Sequence, residues 1–200
     1  MHRRILVAGA GGQGAILIGR ILAAAAVRDI PYIALLPSYG AEVRGGTSHC
    51  QLVLSSEEIA SPMSDQFDSM ILINQASVDR FLSRMAPGAV AVVNSGMAEV
   101  PNLAGVIPVR ATQIAQELGD TRAANFILLG ALLAKDPLVP PSAIEREIAA
   151  RLRQKSGDAA NLNIAAFRLG MKSVPAATPP PARSLRHGAT TPAPSGTKSR

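Results

Sequence analysis

Two glycine-rich stretches contain the residue types that could hold a ligand. The first, Gly9-Ala10-Gly11-Gly12-Gln13-Gly14, has the G-x-G-x-x-G spacing. Between a strand and a helix, that spacing removes the side chains that would keep a phosphate away from the amides of the helix N-terminus. Gln13 adds a side-chain amide that can donate or accept a hydrogen bond. The second stretch, Ser38-Tyr39-Gly40-Ala41-Glu42-Val43-Arg44-Gly45-Gly46, combines both charge signs, a phenol and three glycines. Arg44 suits charge-assisted bonds to a phosphate, and Gly45 and Gly46 let a ligand approach the backbone. Each stretch has a plainer reading too. The first could serve only to pack a helix closely on a sheet, and Glu42 with Arg44 could be an exposed ion pair of little worth.

A dinucleotide-binding fold also calls for an acid about 20 residues after the glycines, at the end of the second strand, to bind ribose hydroxyls. Leu36-Pro37-Ser38 stands in that place, with Asp29 too early and Glu42 too late. A stand-alone NAD(P)- or flavin-binding oxidoreductase is therefore the weaker reading of the glycines. His2, His49 and His187 are scattered and none pairs with a nucleophile in sequence, so no catalytic residue and no metal site are assigned. Cys50 is the only cysteine, which excludes an intrachain disulfide and an iron–sulfur cluster ligated wholly by this chain.

The elements that must position these stretches can be read from the apolar pattern. Ile5-Leu6-Val7 is a continuous apolar run stopped by glycines, which predicts a buried strand over residues 3–8. Apolar residues around the whole circumference predict a helix over 15–27, lodged against a sheet, with only Arg20 charged. Further strands are predicted over 32–36, 47–55, 70–73, 89–94 and 106–109. A helix over 76–85 would close at Pro87-Gly88, and helices over 112–118, 124–133 and 142–154 would follow, the last capped by Ser142 ahead of Glu145. Such alternation predicts an α/β fold, Rossmann-like and doubly wound, with a mainly parallel sheet and helices on both faces. There is no internal repeat.

Composition limits the partners. The formal charge is +6, but Arg183, Arg186, Lys198 and Arg200 lie in a stretch without acids, and removing them leaves 16 basic against 14 acidic residues. With two tyrosines, four phenylalanines and no tryptophan, the body offers few platforms for base stacking, so nucleic acid is not expected. No apolar run reaches the roughly 18 residues of a membrane span, and the glycines interrupt the N-terminal apolar segment, so a cytoplasmic protein is expected. From Ser173 onward Pro, Ala, Ser and Thr dominate, which divides the chain into a domain over 1–172 and a disordered tail over 173–200.

Together the two glycine stretches resemble the gamma subunit of the 2-oxoacid:acceptor (ferredoxin) oxidoreductases. Ile59-Ala60-Ser61-Pro62, Asp68, Asn125 ahead of Gly130-Ala131, and Asn161, Phe167 and Gly170 extend the resemblance over residues 4–171. It implies a complex that converts a 2-oxoacid and coenzyme A to acyl-CoA and carbon dioxide and reduces ferredoxin. Thiamine diphosphate would lie on companion alpha and beta subunits, and the iron–sulfur clusters on the beta subunit or a ferredoxin-like delta subunit. Ser38-Tyr39-Gly40-x-Glu42 is closer to 2-oxoglutarate and branched-chain members than to indolepyruvate ones, and 2-oxoglutarate is the substrate favoured. What the resemblance leaves to this chain is docking on its partners and helping to position coenzyme A. The residues implied are Gly9, Gly11, Gly12, Gln13, Gly14, Ser38, Tyr39, Gly40, Glu42, Arg44, Gly45, Gly46 and Asn125. By chemistry alone Tyr39, Glu42 and Arg44 fit a subunit interface as well as a ligand site, so a non-catalytic assembly module stays open.

Overall fold

The computed structural model describes residues 1–38, 47–153 and 157–175. Six strands form one sheet in the order β2-β3-β1-β4-β5-β6. They are β1 (His2–Ala10), β2 (Tyr32–Ser38), β3 (Thr47–Ser55), β4 (Phe67–Leu72), β5 (Met85–Asn94) and β6 (Val106–Val109). The β1–β4, β4–β5 and β5–β6 pairs are parallel, whereas β3 runs antiparallel to both β1 and β2. Every strand except β3 therefore ends at the same edge, which is where ligands bind in open α/β sheets.

Alternation along the central strands sorts the core into two layers. Ile5 and Val7 of β1 join Ile71 and Val92 beneath α1 (Ala15–Ala26), α3 (Ala111–Glu117), α4 (Ala124–Lys135), α5 (Pro141–Leu152) and α6 (Gly157–Lys172). Leu6 and Ala8 face the other way, with Met70, Leu72 and Val93, and are covered by α2 (Gln75–Phe81) through Val78 and Phe81. The α/β class, the mainly parallel sheet and the helices on both faces are as expected, with the helices divided five to one among the described residues. Both edge strands carry an exposed proline, Pro37 in β2 and Pro108 in β6, positions where a missing backbone donor is tolerated.

Three local expectations are corrected. The helix predicted over 76–85 ends at Phe81 and tightens into a 3-10 turn over Leu82–Arg84. Pro87 and Gly88 then fall inside β5, not at a helix stop, because Met85 pairs with Phe67 and the next pairing, Ser69 with Val90, leaves the residues between as an irregularity. Such bulges accept proline and, at Gly88 with φ 75°, glycine. Ser142 is not the cap of α5, since Pro140 holds that place and Pro141 is the first helical residue, where a proline loses no hydrogen bond. Finally, α6 has no counterpart in the sequence reading, because its buried residues Ala160, Ala166, Phe167 and Gly170 are mostly small.

Those small residues let α6 lie directly on α4. A Cβ on Gly130 would stand 2.0 Å from the Phe167 carbonyl oxygen, and one on Gly170 would stand 2.0 Å from that of Ile127. Val174 is buried against the same layer. At the opposite edge of the sheet Arg4 of β1 grips Asp68 of β4, its backbone N–H donating at 2.8 Å and its guanidinium at 2.8 and 3.1 Å.

Gly130→Ala should separate α4 from α6 and destabilise the protein by about 1–3 kcal/mol, read as a lower denaturant midpoint. The Asp68 carboxyl, opposed by burial but held by Arg4 hydrogen bonds, has a pKa below its ordinary 3.8. Its ionised form thus stabilises the fold above that value, and the contribution is lost as pH falls through the lower folded value. Urea midpoints measured between about pH 5 and pH 2 should fall less steeply for Asp68→Asn than for the parent chain.

Candidate functional site

The glycine stretch forms the turn from β1 into α1. Gly12 and Gly14 have φ of 87° and 80°, and Gly14 is the cap of α1 with no side chain capping the helix. A Cβ on Gly14 would stand 2.2 Å from Asn125 Nδ2, so a side chain is refused on steric as well as conformational grounds. Gly11 faces open space, with nothing within 4 Å of a built Cβ. The amides of Gly11, Gly12 and Gly14 have no acceptor among the described residues.

Gln13 braces this turn. Its Oε1 accepts from Ala10 N at 2.7 Å and from Asn74 Nδ2 at 3.1 Å, and its backbone N–H donates to Ala10 O at 3.2 Å. Only Nε2 is left for other partners, and it points at Met97 Sδ, 3.6 Å away. A Cβ on Gly9 would press on Gln13 Oε1 at 2.9 Å, so this glycine keeps the brace in place. From the far side Asn125 of α4 donates its Nδ2 to Gln13 O at 3.1 Å. Asn125 is 6% exposed, and its Oδ1 has no partner among the described residues.

Two clefts flank the turn and share Gly12, Arg122 and Asn125 as a common wall. One, of about 360 Å³, reaches across to Ile73, Met97 and Thr112. The other, of about 590 Å³, runs between α1, α4 and α6 past Leu17, Phe126 and Leu162. No carboxylate lines the first cleft among the described residues. α1 has no acid in its first turn, so the positive end of its dipole is uncompensated there, whereas Asp120 caps the 3-10 turn that leads into α4 and, with Asp158, lines the larger cleft. Arg122 adds a guanidinium, paired at 2.8 Å with Asp120, whose carboxyl it holds below the ordinary range through side-chain hydrogen bonding. The arrangement is suited to an anion.

Of the second stretch, Ser38 ends β2 and pairs with His49, whereas Tyr39, Gly40, Glu42, Arg44, Gly45 and Gly46 lie outside the described residues. Both ends of that connection are placed, however. Thr47, where β3 begins, is the register partner of Ala10, so the two stretches leave the sheet at one rim on neighbouring strands. Because β3 intervenes, β2 ends two strand positions from β1, roughly 10 Å across the sheet. A ribose-binding acid there would be displaced from its usual place even if the residues were present. Cys50 is a packing residue. Burial pushes its thiol up to about 12, and a Cβ on Gly19 would stand 2.3 Å from its sulfur.

Sequence reading missed Asn74, Asn94 and Met97. Asn74 caps α2, its Oδ1 accepting from Ser77 N at 2.9 Å, while its Nδ2 holds Gln13. Asn94 is fully buried and donates to Thr112 Oγ1 at 2.9 Å. An asparagine closing or following each apolar run at the ends of β4 and β5 was the available signal.

Residues 4–173 match the family described as pyruvate ferredoxin/flavodoxin oxidoreductase. The chain belongs to this family. Among members of the family, it is 39% identical over 132 residues to the ketoisovalerate oxidoreductase subunit VorA of Methanothermobacter thermautotrophicus. That alignment covers 66% of this chain but only 28% of the relative's length. The 2-oxoglutarate synthase subunit KorC of Methanothermobacter marburgensis is 32% identical over 158 residues, covering 74% of this chain and 85% of that one. In structure the chain resembles the gamma subunit of a keto/oxoacid ferredoxin oxidoreductase from Geobacter sulfurreducens, with a TM-score of 0.74, 28% identity and coverage of 86% and 96%. It also resembles part of the 2-oxoglutarate:ferredoxin oxidoreductase of Magnetococcus marinus, solved with 2-oxoglutarate, coenzyme A and succinyl-CoA bound. There the TM-score is 0.78 and the identity 26%, over 89% of this chain and 32% of that one. The expected family is thus the family found, and the relatives are subunits of oxidoreductases.

For this family member, Gly14→Ala should cost about 1–2 kcal/mol from the left-handed backbone alone and more from the clash with Asn125. Gly11→Ala should stay within about 0.5 kcal/mol. Thermal melts of the two variants check the contrast.

Proposed function

We propose that this chain is the gamma subunit of a 2-oxoacid:ferredoxin oxidoreductase, and that the glycine-turn rim holds the diphosphate of coenzyme A. The complex would cleave carbon dioxide from a 2-oxoacid, join the acyl carbon to the sulfur of coenzyme A and pass the electron pair to ferredoxin, releasing a proton. The observation that carries the ligand reading is the set of unpaired amides at Gly11, Gly12 and Gly14 ahead of an uncapped helix, beside a cleft free of carboxylates among the described residues. Backbone donors aimed at a helix N-terminus suit a diphosphate.

In this reading Gly9 and Gln13 keep the turn rigid, Asn125 anchors it to α4, and Arg122 draws the anion in. Ser38 and the connection Tyr39, Gly40, Glu42, Arg44, Gly45 and Gly46 complete the rim or contact a partner subunit. Thiamine diphosphate and the clusters are assigned to the alpha, beta and delta partners. This chain's own thiol does not suit a cluster, since Cys50 is single, buried and held protonated. Among the described residues no helix is long and apolar enough to cross a membrane, and a cytoplasmic complex is part of the proposal. The gamma domain is assigned to residues 1–172, with Val174 just beyond still packed on its core, and the rest of the chain is assigned to an appended segment.

For the substrate we favour 2-oxoglutarate, supported by relatives whose whole length this chain nearly spans. A branched-chain 2-oxoacid is the second reading, supported by the higher identity to the ketoisovalerate subunit. Coexpression with the partner subunits and a panel of 2-oxoacids separates them, since the true substrate should reduce a viologen dye only with coenzyme A present. Gly11→Asp places a carboxylate where a phosphate would sit, in space that is open. It should raise the KM for coenzyme A about tenfold or more in an intact complex. An unchanged KM rejects the ligand reading in favour of a purely assembling subunit.

A further inference from the structure

The two clefts beside the glycine turn meet along one wall, formed by Gly12, Arg122 and Asn125. They differ in the groups that line the rest of their surfaces. The smaller opens toward the ends of β4, β5 and β6, on the flank of β1 away from β3. The thioether of Met97, 45% exposed, stands there with the Thr112 and Thr121 hydroxyls. Gln13 Nε2 points at Met97 Sδ, its Oε1 being held by Ala10 N and Asn74 Nδ2. The larger cleft runs between α1, α4 and α6. Two acids line it, Asp158 in the first turn of α6 and Asp120, against one guanidinium, that of Arg122. Asn163 lines it too, and its Nδ2 donates to Ala159 O at 2.7 Å, which leaves Oδ1 as an acceptor without a partner among the described residues.

Resting on the reading that the turn holds the diphosphate of coenzyme A, we propose a direction for the molecule: its 3′-phosphoadenosine lies in the smaller cleft and its pantetheine arm in the larger. A diphosphate at the shared wall has one arm on either side, so it can lie two ways round. Charge chooses between them. The phosphomonoester on the ribose carries about −1.5 to −2 charge at neutral pH, and the Asp158 and Asp120 carboxylates of the larger cleft oppose it. Pantetheine is uncharged and offers two amide N–H groups and a hydroxyl, donors that suit those carboxylates and the Asn163 oxygen. Leu17, Phe126 and Leu162 suit its methyl and methylene groups. In the smaller cleft Met97 offers the adenine face a polarisable sulfur. Gln13 Nε2 and the threonine hydroxyls are donors for the ring nitrogens, which accept.

The test assays the assembled complex for viologen reduction with coenzyme A, in the presence of either of two fragments. Adenosine 3′,5′-bisphosphate and 4′-phosphopantetheine each keep one phosphate of the diphosphate, and both should compete with coenzyme A. A fragment that does not compete with it in the parent complex overturns the placement of its arm. Met97→Asp sets an acid in the smaller cleft at an exposed position. It should raise the inhibition constant of the bisphosphate about tenfold or more and leave that of phosphopantetheine within about twofold. An equal rise for both, a rise for phosphopantetheine alone, or no rise overturns the direction. Should Met97→Asp fail to assemble, Thr121→Glu, also exposed and on the smaller cleft, decides by the same two constants. Gly11→Asp acts at the turn common to both fragments and should raise both constants together. If it leaves both unchanged, the glycine-turn reading falls. If it raises both while the smaller-cleft variant does not separate the fragments, only the direction falls.

Discussion

The geometry of the rim depends on one hydrogen bond made across 112 positions of sequence, from the Asn125 side-chain amide to the Gln13 carbonyl. The glycine turn has two left-handed residues and no side chain capping the helix it opens, so its own bonds do little to hold it. Gln13 closes it internally by reaching back to Ala10, and Asn74 fastens that side chain to the end of β4. Asn125 supplies the external support, and its close approach is what forbids a side chain on Gly14. Three elements thus converge on a loop in which the Gly11, Gly12 and Gly14 amides find no acceptor among the described residues. A rigid turn of that kind can receive an anion without first paying the entropy of ordering itself.

Among the described residues the same sheet edge leaves few side chains free to do chemistry. Its polar rim residues are mostly engaged in building the rim: Asn94 with Thr112, Asn74 with Ser77 and Gln13, Gln75 with Glu99. Among the described residues what stays available is mainly backbone N–H and guanidinium, groups that bind and orient but do not exchange protons at neutral pH. The relatives of this chain are themselves subunits of oxidoreductases.

Local signals in the sequence were enough where structure is local. The run Ile5-Leu6-Val7 followed by glycines gave away β1 and its turn, and β3 and β6 fall where their apolar runs predicted. Pro87-Gly88 misled because its role depends on pairing with Phe67, twenty residues earlier in the chain. Helix α6 escaped notice because its buried residues are mostly small, and Gly170 shows its role only against the Ile127 backbone. Asn125 was singled out by resemblance, but only the packing of α4 on α1 reveals what it grips. Asn74 showed only as a polar residue after an apolar run, since the strand order that brings it to the glycine turn is not written in its own neighbourhood.

The prolines in β2 and β6 bear on how such a chain keeps company. A twisted sheet with two open flanks invites another copy to add its own strand and so on without limit. Pro37 and Pro108 interrupt the ladder at each flank, which discourages stacking of like upon like. Association is left to loops and faces, where shape and charge can choose between an intended neighbour and an identical one.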